Sequence, residues 1–167
     1  MRIALAATVS AVLLAGCGTP VNHATISGKP EVSISGTTPD AVKAAIINEM
    51  INRQYRISKD TPYEIAFDKP TDNAAAILLL GSKYDAVPNV RASYYITSTP
   101  PTVRVVADLA VITNAGSGFE RRTDVNGNED TLKIQMQLDG IKASLEKPAI
   151  AAAGPTTSRP KRPPVRP

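Results

Sequence analysis

Apolar side chains recur along this chain with two different periods. Val32 and Ile34 alternate with Glu31, Ser33 and Ser35, the two-residue period of a strand with one buried face, and Gly36 ends it. Thr38-Pro39-Asp40 then supplies a helix N-cap, a proline suited to the first helical position and a carboxylate at the positive end of the helix dipole. Val42, Ile46 and Met50 form one stripe, widened by Ile47 and Ile51, while Lys43, Asn48, Asn52 and Arg53 fall largely outside it, so an amphipathic helix is predicted to about Gln54. Tyr55 and Ile57 begin a further strand. Tyr63, Ile65 and Phe67 alternate with Glu64, Ala66 and Asp68 and predict a clearer one. Residues 73–80 fit either an Ala-rich helix capped by Asp72 or a buried strand from Ile77 to Leu80.

The strongest β signal is a pair. Val90, Ala92, Tyr94 and Ile96 share one face, as do Val103, Val105, Ala107, Leu109 and Val111, and Thr99-Pro100-Pro101 between them cannot continue a ladder. An antiparallel hairpin is the expected result. A last helix from about Asn128 to Glu146 aligns Ile134, Leu138, Ile141 and Leu145. The order of strand, helix, strands and helix predicts an α+β domain, two main helices packed on one face of an antiparallel sheet. That order resembles the helix-grip domains in lipoproteins of the outer-membrane barrel-assembly machinery. Element order alone carries no function across.

The first 16 residues read differently. Arg2 is followed by an uncharged, mostly apolar run from Ile3 to Gly16, too short for a membrane span, which needs about 20 residues. A basic start, a short apolar stretch and small residues describe a secretory signal. Leu14-Ala15-Gly16-Cys17 resembles the lipobox of bacterial lipoproteins. The resemblance implies cleavage before Cys17 and a diacylglycerol on its thiol. Gly18, where Asp would retain an enteric-type lipoprotein in the inner membrane, implies an outer-membrane address facing the periplasm. Cys17 is the one cysteine of the 167 residues, so no disulfide forms within the chain.

These signals divide the chain into a signal peptide (1–16), a lipidated tether (17–29), a domain (30–147) and a tail (148–167). The net charge of +4 lies entirely in the tail, as Arg159, Lys161, Arg162 and Arg166, since the rest of the chain balances its 15 acidic residues. A balanced domain in a secreted protein gives little support to nucleic-acid binding. With six prolines and no acidic residue, the tail is expected to stay extended, a basic segment able to touch peptidoglycan carboxylates or other envelope anions.

Catalytic constellations are scarce. The only histidine, His23, falls in the tether, away from any scaffold that would hold it between a nucleophile and a carboxylate. Acylated Cys17 would be unavailable as a thiolate, and no set of zinc ligands remains. Asp124, Asn126, Asn128 and Asp130 alternate like the first half of a calcium loop, but Glu129 stands where Gly is needed and Gln135 where Glu is needed. A turn at Asn126-Gly127 with Asn128 or Asp130 capping the next helix is the simpler reading. Glu64 and Asp68 read as a solvated strand face, Glu120-Arg121-Arg122 as a charged strand end, and Gly81-Ser82-Lys83 as a helix end or turn. The expected protein is a lipid-anchored, non-enzymatic accessory module without cofactor or metal, presenting a sheet edge or helix groove to an envelope protein. The alternatives are a carrier for a small apolar ligand held between helix and sheet and, further off, a carboxylate-based cell-wall hydrolase.

Overall fold

Two helices lie on one face of a six-stranded antiparallel sheet in the computed structural model, which describes residues 21–72 and 87–147. The order is β1 (Glu31–Ser35), α1 (Pro39–Asn52), β2 (Arg56–Asp60), β3 (Glu64–Pro70), β4 (Asn89–Thr99), β5 (Thr102–Thr113), β6 (Arg121–Asp124) and α2 (Asp130–Glu146). Across the sheet the strands run β1-β5-β4-β3-β2, and β6 joins the β1 side of β5 further along that strand. The α+β class and the placement of both helices follow the sequence expectation.

The hairpin of β4 and β5 is the spine of this sheet. It is paired without a break from Thr99↔Thr102 to Asn89↔Ile112, with Pro100-Pro101 as the connection. Two adjacent prolines have no N–H to donate, so the ladder must turn where they stand. The face toward the helices carries Ile65, Phe67, Ala92, Tyr94, Ile96, Val103, Val105, Ala107 and Leu109. Val42, Ile46 and Met50 from α1 and Ile134, Leu138 and Ile141 from α2 pack against it. Thr38 caps α1 as its sequence implies, its hydroxyl accepting from the Ala41 amide at 3.2 Å.

Both long edges of the sheet are guarded. β2 is exposed at all five residues, and Ser58 is an extra residue between the pairs Ile57↔Phe67 and Lys59↔Ala66. A bulged, charged, short edge strand is a poor template for another chain. On the far side α2 runs beside β1, and its side chains bond some of the outward backbone groups of that strand. The Glu31 amide donates to Gln135 Oε1 and the Ser35 amide to Glu146 Oε1, both at 2.8 Å.

Ion pairs line the other face and the margins. Arg91 forks onto Asp68 at 2.7 and 2.8 Å and also reaches Glu120 at 2.6 Å. Asp108, buried on β5, is held by Lys29 at 2.8 Å and by Arg122. Arg104 forks onto Glu31 at 2.6 and 2.8 Å, and this pairing holds the Glu31 carboxyl at about 2, against an ordinary value of 4.5. A carboxylate depressed in the folded state stabilises the fold above its unfolded pKa and loses that contribution as pH falls through the folded value. The urea midpoint is therefore expected to drop between pH 4.5 and about 2. Arg104→Gln should flatten that part of the profile, and an unchanged profile would show that the pair contributes nothing.

From Val21 onward, the segment read from sequence as a tether makes contacts with the domain. The Val21 amide donates to the Gly127 carbonyl at 2.9 Å, and the Ala107 amide donates to Pro30 at 2.8 Å. Between these two points His23 is buried against the start of α2. Small polar residues suggested solvation. What the pattern could not show is that one imidazole in their midst has a buried hydroxyl waiting for it.

A cavity between the helices and the sheet

At the end of the sheet opposite the Pro100-Pro101 turn, the helices stand off and leave a cavity of about 670 Å³. Its floor is the helix-facing side of β4 and β5, Val90, Ala92, Tyr94, Leu109 and Val111. Met50 closes it from α1, Ile134 and Gln137 from α2, and Val125 from the β6–α2 link. The rim is polar: Asn52, Arg53, Gln54, Tyr55, Lys69, Thr71, Asp72, Asn128, Asp130 and Lys133. An apolar floor under a few convergent polar groups is the usual anatomy of a small-molecule site, and the volume falls within the ordinary range of about 300–1,000 Å³.

The end of α1 shapes one wall. The Tyr55 amide bonds back to Met50 O at 3.0 Å and the Gln54 amide to Ile51 O at 2.9 Å, a Schellman closure with Gln54 in the left-handed region at φ 67°. Glycine usually occupies that position. Here a side chain stands there instead, and it lines the cavity. The closure throws Tyr55 back toward β3, where Lys69 Nζ lies 5.5 Å from the Tyr55 ring centre and donates to Arg53 O at 3.2 Å. Burial raises the Tyr55 phenol above its ordinary value. Across the mouth Lys133 pairs with Asp130 at 2.7 Å, and Arg53 pairs with Glu49 at the same distance.

Deeper in, Tyr94 is fully buried and packs edge-on against Phe67, ring centres 6.0 Å apart. Its hydroxyl lies 3.3 Å from Met50 Sδ and 3.4 Å from Gln137 Oε1, and Gln137 Nε2 donates to the same sulfur at 3.2 Å. Burial pushes the Tyr94 phenol well up, so it stays a neutral hydrogen-bond donor. This polar cluster at the wall has donors but no paired acid and base.

The His23 contact borders the cavity. His23 Nε2 lies 2.8 Å from Thr131 Oγ1, and that hydroxyl donates its one proton to the Asn128 carbonyl at 2.6 Å. The imidazole must therefore carry its proton on Nε2 and donate. His23→Ala is expected to cost about 1–2 kcal/mol, since it strips one hydrogen bond from a buried hydroxyl and undocks the segment. Amide exchange at Val21 checks this, and unchanged protection there would show that the docking does not depend on His23.

The residues singled out from sequence scatter around this centre. Asn126 Oδ1 accepts from the Leu109 amide of β5 at 2.9 Å and Asn128 Oδ1 from the Asp130 amide at 3.2 Å, but the expected cap by Asn128 or Asp130 is corrected: the cap position of α2 falls on Glu129, which makes no side-chain cap bond. Glu64 pairs with Lys59, and Asp68 pairs with Arg91. Glu120 and Arg122 belong to the ion pairs described above, and Arg121 with Arg122 opens β6, a strand the sequence reading left as a charged end. Cys17, the segment 73–80, Gly81-Ser82-Lys83 and the tail cations Arg159, Lys161, Arg162 and Arg166 lie outside the described residues. The described helices include none long and apolar enough to cross a membrane. No protein-family model matches the chain, and a search of curated proteins found none similar to it.

Proposed function

We propose that this chain is an envelope lipoprotein, held at the periplasmic face of the outer membrane by acylated Cys17, whose domain is a non-enzymatic binding module. Its site is the cavity between helices and sheet, and the ligand is small and amphipathic. The apolar part rests on Val90, Ala92, Leu109 and Val111, and an anionic head meets Lys69 at the rim, where Arg53 and Lys133 are already paired with Glu49 and Asp130. The observation that carries this reading is the cavity itself: about 670 Å³ floored by apolar strand residues between the sheet and the helices. Of the three readings drawn from sequence, the accessory module loses support at the sheet edges, because a bulge and charges guard β2 and side chains of α2 occupy the edge of β1.

Fluorescence titration of the purified protein with cis-parinaric acid tests the cavity reading. Saturable binding at one site, displaced by long-chain fatty acids, is expected. Failure to bind, together with no lipid retained in native mass spectrometry, would remove the reading.

Contact with a protein partner keeps one specific support. Leu132 and Met136, one turn apart on α2, are 46% and 73% exposed, an apolar pair on the outward side of the helix. Crosslinking in cells that is lost in a Leu132→Glu, Met136→Glu double variant would favour it. The anchor has its own test. Cys17→Ala is expected to remain unprocessed or to lose its lipid. A variant that fractionates and matures like the native chain would remove the lipoprotein reading. The basic tail then adds a weak, salt-sensitive contact with envelope anions, lost beyond a Debye length of about 8 Å.

A further inference from the structure

The geometry points to a ligand drawn from the membrane itself: the cavity mouth is held against the bilayer surface and takes the acyl chain of a membrane lipid. This rests on the cavity reading and on acylation of Cys17. The first described contact of the chain, Val21 to Gly127, falls at the cavity wall, because the neighbouring Val125 and Asn128 line the cavity. His23 fixes the same place a second time through Thr131, one residue after cavity-lining Asp130. Only four residue steps separate Cys17 from Val21. Fully extended they span about 14 Å. The interfacial layer of one leaflet takes up about 6 Å of that, since a bilayer of roughly 40–45 Å holds a hydrocarbon core of about 30 Å.

The slack left, about 8 Å, is small beside the domain, whose strand β5 is about 36 Å long. The end with the cavity must therefore sit at the headgroups, and the end with the Pro100-Pro101 turn must point away. At that surface Lys69 of the rim meets lipid phosphates, and the apolar floor lies one short transfer from the hydrocarbon. A water-borne ligand would have no need of this orientation.

The test uses the full mature, lipidated protein in vesicles of phosphatidylethanolamine and phosphatidylglycerol. Glu129→Cys beside the mouth and Ser98→Cys near the hairpin turn each carry a fluorophore, and a headgroup-linked quencher reads their distance from the surface. Strong quenching at 129 and little at 98 is expected. Phosphatidylglycerol with a photoreactive group on its acyl chain should then crosslink to β4 and β5. The yield should fall at least about tenfold when Cys17→Ser protein, expressed without its signal peptide, is added to the same vesicles, because anchoring supplies the effective concentration. Equal quenching at both labels, or crosslinks that do not depend on the anchor, would overturn the inference while cis-parinaric acid binding still supports the cavity. Loss of cis-parinaric acid binding as well would remove both.

Discussion

Phe67→Ala is expected to lower the free energy of unfolding by about 3–5 kcal/mol, a large share of the roughly 5–15 kcal/mol that holds an average domain together. Phe67 is fully buried at the centre of β3, edge-on to Tyr94 and directly across from Ala92 in the ladder. Alanine would remove the whole ring and leave a void that neither strand can close, because β3 is pinned on both sides by β2 and β4. Tyr94 would also lose the partner that orients its ring beside the cavity. Phe67→Leu, which keeps most of the volume, should cost much less. Urea unfolding with an unchanged slope is the measurement, and a loss below about 1 kcal/mol would mean that this part of the core is not packed as described.

Ala92→Phe should act mainly on the ligand: abolish binding of the fluorescent fatty acid at a stability cost of about 1–3 kcal/mol. Ala92 faces the cavity between Phe67 on β3 and Leu109 on β5, a notch made by a small side chain between two large ones. In a filled core, added bulk forces strain of about 1–3 kcal/mol. Ala92 itself is almost wholly buried at the cavity floor, so that cost applies here, and the ring covers the floor. A rise in the apparent Kd of at least tenfold, about 1.4 kcal/mol, is expected in a protein that still unfolds cooperatively at a lowered urea midpoint. Undiminished affinity would place the ligand elsewhere.

The contrast between these two positions shows what could be read in the sequence. Phe67 was legible because strand alternation depends only on neighbours along the chain, and the same holds for the β4–β5 hairpin with its proline connection and for the Thr38 cap. Tyr63 shows the limit of that rule: it continues the alternation of Ile65 and Phe67 but lies one residue before β3 and is 74% exposed. Ala92 was legible only as a member of an inward face. That it floors a cavity depends on how far α1 and α2 stand from the sheet, a property of two helices and a ladder together. A small residue between Phe67 and Leu109 was the one hint available. His23 and Thr131 are 108 residues apart, and neither residue alone signals a contact. β6 escaped for a different reason, since four exposed polar residues carry no alternation.

The way α2 joins the two ends of the described domain has a mechanical consequence. The chain enters beside Gly127, just before α2 starts, and leaves at Glu146, where α2 stops, about 25 Å further on. Tension between the proposed N-terminal anchor and anything that grips the chain beyond Glu146 therefore runs along the helix axis. α2 lies alongside β1, joined to it by Gln135 at one end and Glu146 at the other. Pulling would load those bonds and the Ile134, Leu138 and Ile141 contacts together, in shear, and not one after another as in unzipping. Built this way, the domain is a strut.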